Sequence, residues 1–190
     1  MFVLIDVRAI VSKHYETLKL DSPVKFILLL FAIIPILISI SLIYFDKLLT
    51  ENSVNNLITA YTLFAGFLLS IIFVLFDIEN KLNPQIYRYL EKKDLLHHLY
   101  ANTLYALLIS IITLIILILV SITELWTESA QNLPAALGNS SFDRGLLLCQ
   151  GYRLTFISFL IYFLISHFIM TLFMILKRLY YLIYDPARND

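Results

Sequence analysis

The chain has 190 residues, of which 60% are hydrophobic and only 15% are charged. Soluble domains carry roughly 45–50% apolar and about 25% charged residues, so this composition favours lipid over water as the surrounding solvent. The formal net charge is zero, which excludes a global basic field that would attract nucleic acid. The single cysteine, Cys149, excludes an intrachain disulfide.

Four apolar stretches have about the 20 residues that a helix needs to cross the hydrocarbon core of a bilayer. They lack the alternation of barrel strands, and lipid cannot satisfy exposed backbone groups, so they are predicted to be helices. We therefore expect an all-α integral membrane protein. The predicted transmembrane helices are residues 24–45, 57–76, 101–122 and 154–176.

Lysine and arginine set the predicted orientation of these spans. Eleven of the 14 lie in residues 1–25, 77–100 and 177–190, and three lie in the other two connections. This bias predicts that both termini are cytoplasmic. Residues 1–23 then form a cytoplasmic amphipathic segment, 77–100 a cytoplasmic stalk, 123–153 an extracytoplasmic loop and 177–190 a cytoplasmic tail.

The amphipathic segment at the N-terminus does not have the pattern of a cleaved signal peptide, because no basic region precedes a short apolar core. We therefore expect the first span to remain in the protein as a signal anchor. Its apolar residues recur at helical spacing. Two arrangements remain open: the helix lies in the membrane interface, or it packs on the stalk. The residues on its apolar side are Val3, Val7, Ile10, Val11, His14, Tyr15 and Leu18.

The stalk opens with Asn83-Pro84, a helix-start signal. Nothing from Gln85 to Ile122 breaks a helix, so the third span is predicted to begin at Pro84 and to project about 25 Å into the cytoplasm. Adjacent His97 and His98 point about 100° apart on a helix, which argues against a metal site. The stripe predicted to dock a cytoplasmic effector is Ile86, Tyr89, Leu90, Lys93, Leu96 and Tyr100.

Within the spans, Pro35 and His167 are the notable polar features. Pro35 leaves the carbonyl of Phe31 without its helical donor, so that group needs another. One interpretation is a polar layer across the bundle that includes His167. The other, which we favour, is a neutral His167 with a local hydrogen bond and a structural role. The further members of the hypothetical layer are Gly66, Ser110 and Thr113.

Two features predict helix–helix packing. Thr62, Gly66 and Ser70 form small-xxx-small steps, which let helix backbones approach closely. The fourth span carries an aromatic face, and we expect a homo-oligomer. The aromatic residues are Phe156, Phe159 and Phe163.

The sequence has no phosphate loop, GxSxG, HExxH or CxxC motif, so we expect neither an enzyme nor a cofactor. Four spans, a stalk at 84–100 and a modest outer loop resemble the small four-span membrane subunits of bacterial anti-phage defence systems, in particular that of Kiwa. The resemblance implies an oligomeric sensor in the bacterial inner membrane that couples to a cytoplasmic effector. The alternatives are a small oligomeric channel or pore-forming effector and a lipid-handling or transporter accessory subunit.

Overall fold

The computed structural model describes residues 7–21, 23–45, 49–81, 89–131 and 141–183. The regular structure within these ranges is entirely helical, which confirms the all-α prediction. In chain order the elements are α1 (Val7–Asp21), α2 (Val24–Leu28), a π-helical segment (Leu29–Ile33), α3 (Ile34–Tyr44), α4 (Glu51–Lys81), α5 (Tyr89–Gln131) and α6 (Ser141–Ile183).

Helices α4, α5 and α6 are long and apolar enough to cross a membrane, as expected of a multi-pass membrane protein. Their apolar stretches are Glu51–Lys81, Lys92–Thr123 and Thr155–Leu182, of 31, 32 and 28 residues. The predicted first span is helical from 24 to 44, but its apolar helix, Leu29–Tyr44, is shorter. A fourth crossing and the orientation of the bundle therefore stay as predictions.

The π-helical segment ends at Ile33, two residues before Pro35, which occupies the first turn of α3. Proline has no backbone N–H, so the α-helical ladder cannot continue through this position. Instead the N–H of Ile34 donates to the carbonyl of Leu29, five residues back. The first apolar stretch is thus a helix with one widened turn, a feature that is frequent at functional sites.

Helices α4, α5 and α6 all extend beyond the predicted spans. Helix α4 runs to Lys81, and α5 is continuous from Tyr89 through the third span. Helix α5 therefore extends the third span on its N-terminal side from residue 89, whereas 84–88 lie outside the described residues and a cytoplasmic stalk stays a prediction.

The segment predicted as an outer loop, 123–153, is helical at both ends, because α5 continues to Gln131 and α6 begins at Ser141. The extracytoplasmic position of this connection stays a prediction. Residues 123–131 contain neither Gly nor Pro, so nothing in them stops the helix. Residues 132–140 lie outside the described residues.

A core between α4, α5 and α6 positions the candidate site. It is built from buried leucines and isoleucines together with Phe168. A second cluster joins α1 to the first apolar stretch through Leu18, Ile27 and Phe31, with Met170 and Met174 of α6 packed against it. Of the two arrangements left open for the N-terminal segment, the structure has α1 packed against α5 and the start of α2.

A buried polar network as the candidate functional site

The carbonyl that Pro35 deprives of a donor receives one from another helix. The Nδ1 atom of His167 lies 2.9 Å from the backbone oxygen of Phe31, and both residues are buried. The prediction that the Phe31 carbonyl needs a donor is confirmed. His167 and Pro35 are thus brought together, through the widened turn before α3.

The hydrogen bonds of His167 fix the proton on its ring. A carbonyl oxygen only accepts, so Nδ1 must carry the hydrogen that it donates to Phe31. In a neutral imidazole Nε2 is then an acceptor, and the Tyr105 hydroxyl lies 2.9 Å from it. Both ring nitrogens are satisfied without a charge. The ring of Phe163 stacks on the imidazole, with 6.0 Å between the ring centroids.

The hydrogen bonds of the described residues do not extend this centre to Ser110, Thr113 or Gly66. The side chains of Ser110 and Thr113 are buried, but each hydroxyl donates to a carbonyl of its own helix, at Leu107 and Ile109. Gly66 lies on the exposed side of α4. Among the described residues the layer hypothesis is therefore not supported at these three positions. The His167 ring is neutral, as in the favoured interpretation, but its hydrogen bonds reach Tyr105 of α5 and Phe31 of the π-helical segment and are not local.

Tyr105 also connects this centre to α1. The ring of His14 is stacked on the Tyr105 ring, with centroids 3.8 Å apart and an interplanar angle of 9°. His14 is fully buried, and its Nδ1 lies 2.8 Å from Oδ1 of Asn102. The hydroxyl of Thr17 lies 2.7 Å from the His14 carbonyl and 3.1 Å from the same Asn102 oxygen. The docked face of α1 is therefore polar at its centre.

Arg178 holds the other end of α1. Its side chain is only 3% exposed. One guanidinium nitrogen donates to the carbonyl of Thr17 over 3.1 Å, and the other donates to the carbonyl of His98 over 3.3 Å. The Thr17 carbonyl lies near the C-terminus of α1, where the helix dipole favours a cation. Arg178 thus joins α1, α5 and α6 at one point.

Burial controls the charge of His14. Desolvation is the main cause that lowers its pKa from 6.5 to about 4, and the nearby His167 and Arg178 act in the same direction. The hydrogen bond to Asn102 opposes the shift. Near neutral pH the His14 ring is therefore uncharged.

Two buried atoms of this site have no hydrogen-bond partner among the described residues. They are Nε2 of His14 and Nδ2 of Asn102. Because Oδ1 of Asn102 accepts, Nδ1 of His14 carries the hydrogen and Nε2 is a bare lone pair. The site therefore contains a buried base that no described residue satisfies.

The predicted docking stripe is only partly exposed. Leu90 is 73% exposed, whereas Leu96 is 1% exposed and belongs to the core. Leu96 is therefore a packing residue, because its side of α5 faces into the bundle. Lys93 and Tyr100 are half-buried. Ile86 and the side chain of Tyr89 lie outside the described residues.

The predicted packing residues fall on different surfaces. Thr62, Gly66 and Ser70 are all exposed on α4, and both hydroxyls donate to carbonyls of α4 itself. No described part of the chain therefore covers this small-residue face. On α6, Phe156 is exposed, while Phe159 is half-buried. Phe163 is occupied by its contact with His167.

The sequence did not single out Asn102, Tyr105 or Arg178. It counted Arg178 only as a charge that sets orientation, and His14 only as part of an amphipathic side. One signal was available, because His14 and Asn102 interrupt otherwise apolar faces. Within the described ranges no three His, Cys, Asp or Glu side chains are grouped as a metal site would require.

The comparisons with known proteins give no relative for this network. No family model matches the chain, and neither a curated protein nor a solved structure matches it.

Proposed function

We propose that the protein is a non-enzymatic, oligomeric sensor or scaffold of the bacterial inner membrane that docks a cytoplasmic effector. In this proposal the chain crosses the membrane four times and both termini are cytoplasmic. The resemblance to membrane subunits of anti-phage defence systems suggests phage attachment or injection as the signal. The polar network that links α1 to the first apolar helix is the observation that supports a sensor best.

The network offers a physical route for a signal. His14 of α1 stacks on Tyr105, Tyr105 bonds His167, and His167 bonds the widened turn at Phe31. Polar side chains inside a membrane are costly and usually functional. A conformational change of the first apolar helix at Pro35 would move the Phe31 carbonyl. The hydrogen bonds of His167 and the stacked ring of Tyr105 would pass that movement to α1. Coupling of this kind requires a structural element that can take two positions relative to the rest of the bundle. Helix α1 is the candidate for that element.

A fourth span is supported by the surface of α3. One side of α3 packs along α6, while the other side exposes large apolar residues. An exposed apolar face is stable in lipid and unfavourable in water. The exposed residues are Ile36, Leu37, Ile38 and Ile40.

Oligomerisation is supported by the small-residue face of α4. No atom of the described residues lies within 4 Å of the position that a Cβ would take at Gly66. Because the hydroxyls of Thr62 and Ser70 are satisfied within α4, this face is ready for close contact with another helix.

Site-specific photocrosslinking in cells tests the docking part of the proposal. A photoreactive amino acid at Leu90, which is 73% exposed at the start of α5, should capture one cytoplasmic protein that mass spectrometry identifies. The matched control is Leu63, which is 71% exposed within the apolar stretch of α4. Leu90→Glu should then reduce co-purification of that protein. The proposal fails if both positions give the same adducts, or if Leu90 captures only lipid or copies of this chain.

The alternative, a small oligomeric channel, draws on the exposed hydroxyls of Thr59 and Thr62 on α4. Both hydroxyls donate their hydrogens to carbonyls of their own helix, so only their oxygen lone pairs are left to accept hydrogen bonds from water or ions in a pore. Single-channel recording of the purified protein in a planar bilayer separates the two functions. Discrete conductance steps that disappear in Thr59→Leu would establish the channel, and a silent bilayer supports the sensor.

A further inference from the structure

Among the described residues, polar contacts at two positions of α1 join this helix to the bundle. His14 bonds Asn102 of α5, the carbonyl of Thr17 receives Arg178 of α6, and Leu18 packs into the smaller apolar cluster. An isolated helix of 15 residues is marginal in water. The docked state of α1 therefore depends on these contacts, and loss of one of them shifts the balance.

His14 is the contact that a change of pH can remove. Its Nδ1 hydrogen is committed to Asn102, so an added proton must bind the lone pair of Nε2. That atom is buried and has no partner among the described residues. Protonation would therefore create a buried N–H that has no acceptor in this part of the chain, together with a buried positive charge.

The groups around His14 do not compensate that charge. From α5 the ring faces Tyr105 and the neutral Asn102. From α6, His167 and Arg178 act on it, and a second cation repels an imidazolium. The first span contributes the uncharged ring of Phe31, and the neighbour on α1 is Tyr15. None of these groups is a carboxylate. The stacked Tyr105 ring attracts a cation, but burial outweighs this attraction.

We infer that α1 is a releasable helix and that a proton on Nε2 of His14 releases it from α5 and α6. This goes beyond the proposed function, since it concerns the docking equilibrium of α1 whichever protein the chain binds. Release would expose the apolar side of α1, including Leu18, and would leave the stacked face of Tyr105 uncovered.

The size of the effect follows from linkage. Docking lowers the pKa of His14 from 6.5 to about 4, mainly through desolvation. His14 binds the proton more tightly when α1 is released. The neutral ring therefore contributes fully to docking above pH 6.5, and this contribution is lost as the pH falls towards 4. Between pH 7.5 and pH 5 the ratio of released to docked protein should rise roughly 30-fold.

Cysteine accessibility of the full-length protein in lipid nanodiscs measures this ratio. In a Cys149→Ser background, Leu18→Cys places a thiol in the buried cluster, and Lys13→Cys places a reference thiol on the exposed side of α1. The ratio of the two rates with a water-soluble maleimide corrects for the pH dependence of the reagent. With His14 present, the ratio should rise roughly 30-fold from pH 7.5 to pH 5.

Three further variants assign the effect to His14. His14→Gln should keep the ratio independent of pH, whereas His97→Gln, which changes an exposed histidine of α5, should leave the rise intact. If His14→Gln does not assemble, Asn102→Asp provides the test, because a carboxylate would pair with the protonated ring and suppress the rise. No rise in the unaltered protein, an equal rise in His14→Gln, or an equal rise in Asn102→Asp would overturn the inference.

Discussion

The strongest quantitative test concerns the carbonyl of Phe31. His167→Ala removes its donor, and Pro35 provides no N–H in its place. In a Pro35→Ala background the same substitution should cost less, because the new N–H at position 35 can donate to Phe31 along the helix. The two substitutions therefore form a double-mutant cycle whose coupling isolates one buried hydrogen bond.

The magnitude of the coupling can be bounded. A buried acceptor that loses its partner costs about 1–3 kcal/mol in proteins, whereas hydrogen bonds between helices in membranes contribute roughly 0.6 kcal/mol on average and about 1.7 kcal/mol at most. We expect about 1 kcal/mol here, because the 2.9 Å bond is buried. Losses at Tyr105 and Phe163 occur in both backgrounds, so they cancel.

Reversible unfolding in bicelles, driven by SDS or followed by steric trapping, gives the free energy of unfolding for the four proteins of the cycle. His167→Ala should be more costly with proline at position 35 than with alanine there. If the cost of the double substitution equals the sum of the two single costs to within about 0.3 kcal/mol, the argument is refuted, because substitutions at independent sites are additive. They would mean that the widened turn satisfies Phe31 without His167.

Three other predictions follow from burial and hydrogen bonding. Arg178→Met should raise the cysteine-accessibility ratio of α1 about 10-fold, since hydrogen bonds from a charged group contribute about 1.5–3 kcal/mol; an unchanged ratio would mean that the guanidinium does not hold the helix. Leu90→Glu should alter the free energy of unfolding by no more than about 0.5 kcal/mol. Leu96→Glu should lower it by about 3 kcal/mol or more, because the new charge is buried. Equal costs would place both residues on the same surface. Gly66→Leu should leave the subunit folded and dissociate the oligomer, as read by native mass spectrometry; an intact oligomer would exclude this face as the interface.

Much of the helical architecture could be predicted because its causes are local. Uncharged runs of about 20 residues must satisfy their own backbone groups in lipid, so α4, α5 and α6 follow from composition alone. Continuity of α5 from residue 89 into the third span follows from the lack of Gly and Pro. The first apolar stretch was harder, because the effect of a proline on the preceding turn depends on whether a neighbouring helix supplies a donor.

The candidate site could be predicted only in part. Pro35 and the freed carbonyl of Phe31 are local features, and His167 is the only titratable residue other than tyrosine within its span, so the sequence named all three. It could not name Tyr105 as the partner, since a tyrosine in an aromatic-rich chain carries no signal of its own. The docking stripe was misjudged at Leu96 because helical spacing identifies an apolar face without telling what covers it.

The sequence by itself determined the solvent and the elements, because hydropathy and backbone satisfaction act over a few turns of one helix. Only the tertiary structure decided which polar groups meet. The hydrogen bonds from Tyr105 to His167, from His14 to Asn102 and from His167 to Phe31 join residues separated by 62, 88 and 136 positions. Such contacts arise from the packing of four segments, and the stability of each depends on a partner that its own helix does not contain.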